Sequence, residues 1–227
     1  MSKCDPLNNA VWNALNTVHE PLALTCGLAA RYPHDVAPFA ALQEPTAAAF
    51  ADLTQLVSRG ESIALLTTTP LEAPSGWTVH RSRWIDQMVC EQPPAGEQGD
   101  LLELGQQDMP EMLALTAATE PGPFSEGTIR MGRYRGIRSQ AGALLAMAGE
   151  RLRLQGFTEI SAVCTAPEAR GRGYGRVLVS AIASMVHADG LTPFLHVKTE
   201  NGAKHLYEKL GFRVRRPMRL TVLTRVS

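Results

Sequence analysis

The chain has 227 residues, 44% hydrophobic and 19% charged, enough length and apolar content to bury one large core or two small ones. Its formal net charge is zero, which argues against nucleic-acid binding by bulk charge. No apolar run approaches the ~20 residues of a membrane-spanning helix, and the apolar stretch at 21–30 follows Asp5, His19 and Glu20 instead of a basic leader, so neither a membrane segment nor a secretory signal is expected.

The first ninety-odd residues carry few signals. "PLNNAVWNAL" and "TAAAFADLTQLVSRG" have helical spacing, while "SIALLTT" and "WTVHRSRWIDQMVC" read as strands, so a small α/β unit is expected. "EQPPAGEQGD" at 91–100 is rich in Pro, Gly and polar residues, and it predicts a boundary: residues 1–96 as an N-terminal α/β segment of uncertain role, residues 97–227 as a second domain. Charge changes across it. Residues 1–96 hold five Lys/Arg and nine Asp/Glu, net −4, and the remainder holds 17 and 13, net +4.

The second segment is more legible. "QQDMPEMLALTAAT" predicts a helix with Asp108 as N-cap and Pro110 in the first turn, followed by a loop over 119–124. Strands are predicted at "GRYRGIRSQ", "ALLAMAGERLRL" and "TEISAVCT". After a glycine-rich run, Val177, Leu178, Ala181, Ile182, Met185 and Val186 share a helical face, and Asp189-Gly190 stops that helix. "TPFLHVKT" predicts a strand, "ENGAKHLYEKLGF" a helix capped by Asn201 and ended by Gly211, and "FRVRR" and "RLTVLTRV" two closing strands. The fold class expected is α/β, a mixed sheet flanked by helices.

Cys4, Cys26, Cys90 and Cys164 lie far apart, form no CxxC pair and have no zinc-like histidine spacing. They read as buried thiols in a reducing compartment, so a cytoplasmic location and no metal are expected.

The informative stretch is "PEARGRGYGRVL", where Gly171, Gly173 and Gly175 alternate with Arg170, Arg172 and Arg176 between a strand and a helix. Glycines opening a helix leave main-chain N–H groups free at the positive end of its dipole, an anion site, and the arginines add charge. A phosphate-bearing ligand follows. The P-loop pattern is absent, and the dinucleotide pattern GxGxxG fails at Arg176.

Arg170-Gly171-Arg172-Gly173-Tyr174-Gly175 matches Q/R-x-x-G-x-G/A, and together with "TEISAVCTAPEARGRGYGRVLVSAI" and "PFLHVKTENGAKHLYEKLGF" the chain resembles the GNAT superfamily of N-acetyltransferases. It is similar in particular to a bacterial branch related to glycine N-acyltransferase-like proteins. The resemblance implies a GNAT-type sheet, acetyl-coenzyme A as co-substrate, and acetyl transfer to a primary amine by direct attack, without a covalent enzyme intermediate. It also implies that Arg170, Gly171, Arg172, Gly173, Tyr174, Gly175 and Arg176 hold the pyrophosphate. The main chain of Val163, Cys164 and Thr165 would lie beside the pantetheine arm, and Asn201 would touch the cofactor, beside the plainer reading of a helix cap. Cys164 would then act through its backbone and not as a nucleophile.

Two catalytic roles come with the resemblance. Glu159, eleven residues before Arg170, matches a family general base, beside the plainer reading of a strand-end surface glutamate. Strand alternation would put it on one face with Ser161 and Val163. Tyr207 matches the family tyrosine that protonates the departing thiolate, beside the plainer reading of a core aromatic with its hydroxyl at the edge. His196 and His205 flank the site without a role.

The expected partner is a small-molecule or peptide amine, with no nucleic acid and no membrane; a homodimer stays open. Glu120 and Glu126 would attract a cationic amine beside Phe124; the first segment would either shape acceptor use or serve only as a packing partner for the sheet, and a fragment beginning near residue 97 would hold coenzyme A if it stayed folded. Two other readings stand: a non-catalytic acetyl-coenzyme A-binding regulatory protein, and a single-strand nucleic-acid patch at "RGRGYGR", which zero net charge and a lone aromatic disfavour.

Overall fold

In the computed structural model, residues 5–92, 94, 101–200 and 202–227 are described. The first segment runs α1 (Ala10–Leu15), β1 (Leu24–Cys26), β2 (Ala29–Arg31), β3 (Phe39–Leu42), α2 (Ala47–Leu56), β4 (Ser62–Thr67) and β5 (Trp77–Val89). The second runs β6 (Leu102–Leu104), α3 (Met109–Thr119), β7 (Tyr134–Arg138), β8 (Leu144–Leu154), β9 (Phe157–Thr165), α4 (Tyr174–Ala188), β10 (Thr192–Lys198), α5 (Ala203–Lys209) and β11 (Arg213–Arg225).

The eleven strands among the described residues form one mixed sheet in the order β1-β2-β3-β4-β11-β5-β10-β9-β8-β7-β6. The predicted linker lies largely outside the described residues, and the boundary at 96/97 wholly so. On either side of it the strands interlock: β5 of the first segment sits between β10 and β11 of the second, and β11 sits between β4 and β5. The two segments therefore share a single sheet.

The strand pairs β3/β4 and β9/β10 are parallel, and each is connected through a helix, α2 or α4. Local sequence explains both helices. Thr46 caps α2, its Oγ1 accepting from the Ala49 N–H at 3.2 Å. α4 buries Leu178, Val179, Ile182, Ala183 and Val186 at helical spacing.

Helices cover both faces. On one, α1 packs over Ala30, Phe39 and Ala41, and α3 packs over Met147, Ala162 and Cys164. On the other, α4 and α5 pack over Met88, Ile160 and Leu195, and α2 packs over Ala40, Leu42 and Leu65. Between α1 and α3 the first face stays open, and there the cleft lies.

Four short strands, β1, β2, β3 and β6, carry no readable alternation and are additions to the predicted elements. The two predicted closing strands are one strand, β11, which runs through Pro217. Proline is tolerated because β11 pairs there only with β5, at Asp86; pairing with β4 begins at Arg219. Asp108 precedes α3 as expected, but its carboxylate accepts from the Gly105 N–H and Arg138 and makes no cap bond to α3.

Candidate active site

β9 and β10 pair only from Phe157–Thr192 to Glu159–Phe194, yet β9 continues to Thr165 and β10 to Lys198. Beyond Glu159 the two strands separate. Ala162 marks the separation: its φ of 52° is left-handed, and the β8/β9 register slips there, Gly149 facing Ser161 but Met147 facing Cys164. The bulge corrects the expected alternation. Cys164 joins the α3 face, whereas Val163 packs with the α4 face, away from Glu159.

A cleft of about 940 Å³ opens at this gap and runs through the sheet. On the α4/α5 side it is lined by Val163, Leu195, Ala203 and Tyr207; on the other by Arg151, His196, Lys198 and the segment from Glu120 to Phe124. The first segment supplies much of that wall, including Phe39, Ala64, Leu66, Arg81, Arg83 and Ile85. Glu120 and Phe124 line the cleft as expected; Glu126 does not, being exposed on the 3₁₀ turn that follows.

Past Thr165 the chain makes a 3₁₀ turn and enters α4 through the glycines. Gly171 and Gly173 have φ of 79° and 80°, a conformation that disfavours side chains. A Cβ at either would meet nothing within 4 Å, so the protein itself leaves that space open. Gly173 is the N-cap of α4, whose first N–H groups lack intrahelical partners. Arg170, Arg172 and Arg176 are exposed around it. Tyr174 packs its ring against the core, so only its main chain faces the turn, and Gly175 has the Leu206 side chain 3.7 Å from where its Cβ would lie. The turn thus leaves room for an anion against the main chain, two elements along the chain from the open strand. Asn201 lies outside the described residues.

Tyr207 is buried against Phe212 at a ring separation of 6.1 Å. Burial pushes its hydroxyl up to about 12, so it stays protonated at neutral pH. Burial likewise raises the Cys164 thiol to about 11, which removes it as a nucleophile.

Glu159 is where the geometry departs from the expected general base. It is fully buried and absent from the cleft lining. Arg151 donates to it through Nε at 2.8 Å and Nη2 at 2.7 Å, and His196 Nδ1 lies 2.7 Å from Oε1. Burial alone would raise this carboxyl, but the Arg151 charge and hydrogen bonds, with those of His196, outweigh it and hold the group down at about 2. A carboxylate so occupied is a poor proton acceptor.

His196 is also committed. Gln87 Oε1 accepts from Arg215 at 2.7 Å, so the Gln87 amide Nε2 is the donor to Leu7 O at 3.0 Å and to His196 Nε2 at 3.1 Å. The proton of His196 is then on Nδ1, donated to Glu159. His205 is exposed, 3.5 Å from Glu208.

Comparison with known proteins agrees with this geometry. A family model described as FR47-like protein matches residues 134–220, from β7 into β11. A solved GNAT-family protein from Novosphingobium aromaticivorans, assigned as an acetyltransferase, is 38% identical over 99% of this chain and 100% of its own, with a TM-score of 0.92. A GCN5-related N-acetyltransferase from Kribbella flavida shares the fold at 15% identity, covering 96% of each chain, with a TM-score of 0.64. No curated protein sequence matches the chain. With a cleft between separating parallel strands, a glycine turn opening the following helix and a full-length relative at this identity, the chain belongs to the GNAT family of acetyltransferases.

Proposed function

We propose that this protein is an acetyl-coenzyme A-dependent N-acetyltransferase acting on a primary amine by direct attack. The observation that carries the reading is the separation of β9 from β10 in line with the glycine turn at the start of α4. Gly171 and Gly173 leave room for pyrophosphate against the main chain, with the dipole of α4 and Arg170, Arg172 and Arg176 supplying positive charge. Tyr174 and Gly175 contribute main-chain groups. Val163, Cys164 and Thr165, beyond the last β9/β10 pair, present main-chain groups to a pantetheine arm lying where β10 would otherwise pair.

When bound, the thioester supplies the electrophilic carbonyl. The amine attacks it, the C–S bond breaks, and Tyr207 gives its hydroxyl proton to the departing sulfur. Glu159 and His196 are saturated by Arg151 and Gln87, so they position the wall of the cleft instead of taking the proton of the amine. That proton passes to water in the open cleft. kcat/KM should then rise with pH up to the pKa of the acceptor itself.

The reading is tested by thiol release from acetyl-coenzyme A with a panel of amines, with mass shift identifying the acylated product. The committed Glu159 favours a second reading, a non-catalytic acetyl-coenzyme A-binding protein. Tight coenzyme A binding without acyl transfer to any amine would select it. Cys26, Cys90 and Cys164 are unpaired thiols, in keeping with a cytoplasmic location.

A further inference from the structure

The wall of the cleft opposite Tyr207 carries an excess of positive charge. Arg81 and Arg83 are two residues apart on β5 and both line the cleft. Lys198 pairs with Ile85 at the end of β10, one strand over and two residues along from Arg83, and lines the same space. None of the three has a hydrogen bond or ion-pair partner among the described residues, and Arg83 Nε is buried without an acceptor. Arg151 also lines the cleft, but its charge is answered by Glu159. Glu120, on the opposing loop, is the one acidic residue of the lining among the described residues.

Unpaired cations concentrated in a concave wall raise the local concentration of anions and repel a polycation. A buried guanidinium N–H without an acceptor costs stability until one arrives. Beside them the floor is apolar, formed by Phe39, Leu66, Ile85, Leu220 and Val222. This wall is on the face away from α4, so the charge is separate from that around the glycine turn.

We propose that the acceptor is an amine that also carries a carboxylate, an amino acid with an apolar body, whose carboxylate is seated by Arg83 with Arg81 and Lys198. The proposal rests on the N-acetyltransferase reading and narrows its acceptor. It adds a carboxylate to the cationic amine expected at Glu120 and drops Glu126, which lies outside the cleft lining. Glu120, across the cleft, is placed to meet the ammonium end.

The test compares the common L-amino acids with their primary amides as acceptors, in the wild type and in Arg83→Gln. The proposal expects kcat/KM for the best amino acid to exceed that for its amide by about 10- to 100-fold, the worth of one or two hydrogen bonds to a charged group. Arg83→Gln should erase most of that preference while coenzyme A affinity holds. Amides accepted as well as acids, or a preference that survives in Arg83→Gln and in Lys198→Gln, would overturn it. If no amine is acylated at all, the transferase reading fails, and the anion site is judged by calorimetry of the same amino acids on the coenzyme A-loaded protein. Carboxylate-dependent binding lost in Arg83→Gln would uphold the site, and no binding would reject it.

Discussion

Arg151 and Glu159 face each other across the β8/β9 hairpin, eight residues apart in sequence, joined by hydrogen bonds of 2.8 and 2.7 Å, Glu159 fully buried and Arg151 reaching the cleft wall. The pair is a structural strut beneath the cleft. Removing the charge of Glu159 leaves the Arg151 guanidinium buried without its counter-ion. Glu159→Gln should therefore lower stability by about 3 kcal/mol, roughly 6–12 °C in Tm. A Tm within a degree or two of wild type, with an altered acid limb in the pH–rate profile, would restore Glu159 as base.

The same pair sets a pH window. The folded carboxyl is held at about 2, below its ordinary 4.5, so its contribution is complete above the ordinary value and is lost as pH falls from there toward 2. Wild type should lose stability over that interval more steeply than Glu159→Gln, measured by urea unfolding at stepped pH. Parallel curves would show that the pair does not govern acid stability.

Tyr207→Phe removes a hydroxyl and little else, since the ring keeps its packing on Phe212. Turnover is expected to fall about 10²-fold or more with coenzyme A affinity nearly unchanged. Unchanged turnover would mean that the thiolate leaves without this proton.

Gly173 has a left-handed φ and open space where a Cβ would go. Gly173→Ala should cost about 1 kcal/mol of stability from backbone strain. Gly173→Glu adds a negative charge at the mouth of α4, and coenzyme A affinity should drop at least about tenfold. Calorimetry on the folded variant decides; an unaltered affinity would remove the turn from the binding site.

The glycine turn, α4, α5 and the strands from β7 to β10 were legible because each combines a strong period with a stop signal. Tyr207 was legible for the same reason, lying on the buried face of α5. The partners of Glu159 were not, because nothing in "LLAMAGERLRL" says that Arg151 turns inward. Nor does a glycine announce the bulge at Ala162, which sends Val163 to the other face. Arg81 and Arg83 lie in the least legible segment, although their signal was present: in "WTVHRSRWIDQMVC" Arg81, Arg83 and Ile85 alternate onto one face.

A fragment beginning at residue 101 would lack β4 and β5, leaving β10 with an open edge and β11 without either of its partners. We expect it to aggregate or stay unfolded and to show no coenzyme A binding, by circular dichroism and calorimetry. A folded, binding fragment would show that the second segment is independent.

The exchange of β5 and β11 also dictates when the molecule can mature. Ser82 and Thr221 touch at 3.0 Å across these strands but are 139 residues apart in the chain. The sheet cannot close until β11 emerges, so a nascent chain carries β4 with an open edge and β5 without its partners through most of the synthesis of the second segment. Recovery of this enzyme should depend on the speed of that last step and on chaperone supply more than on its final stability.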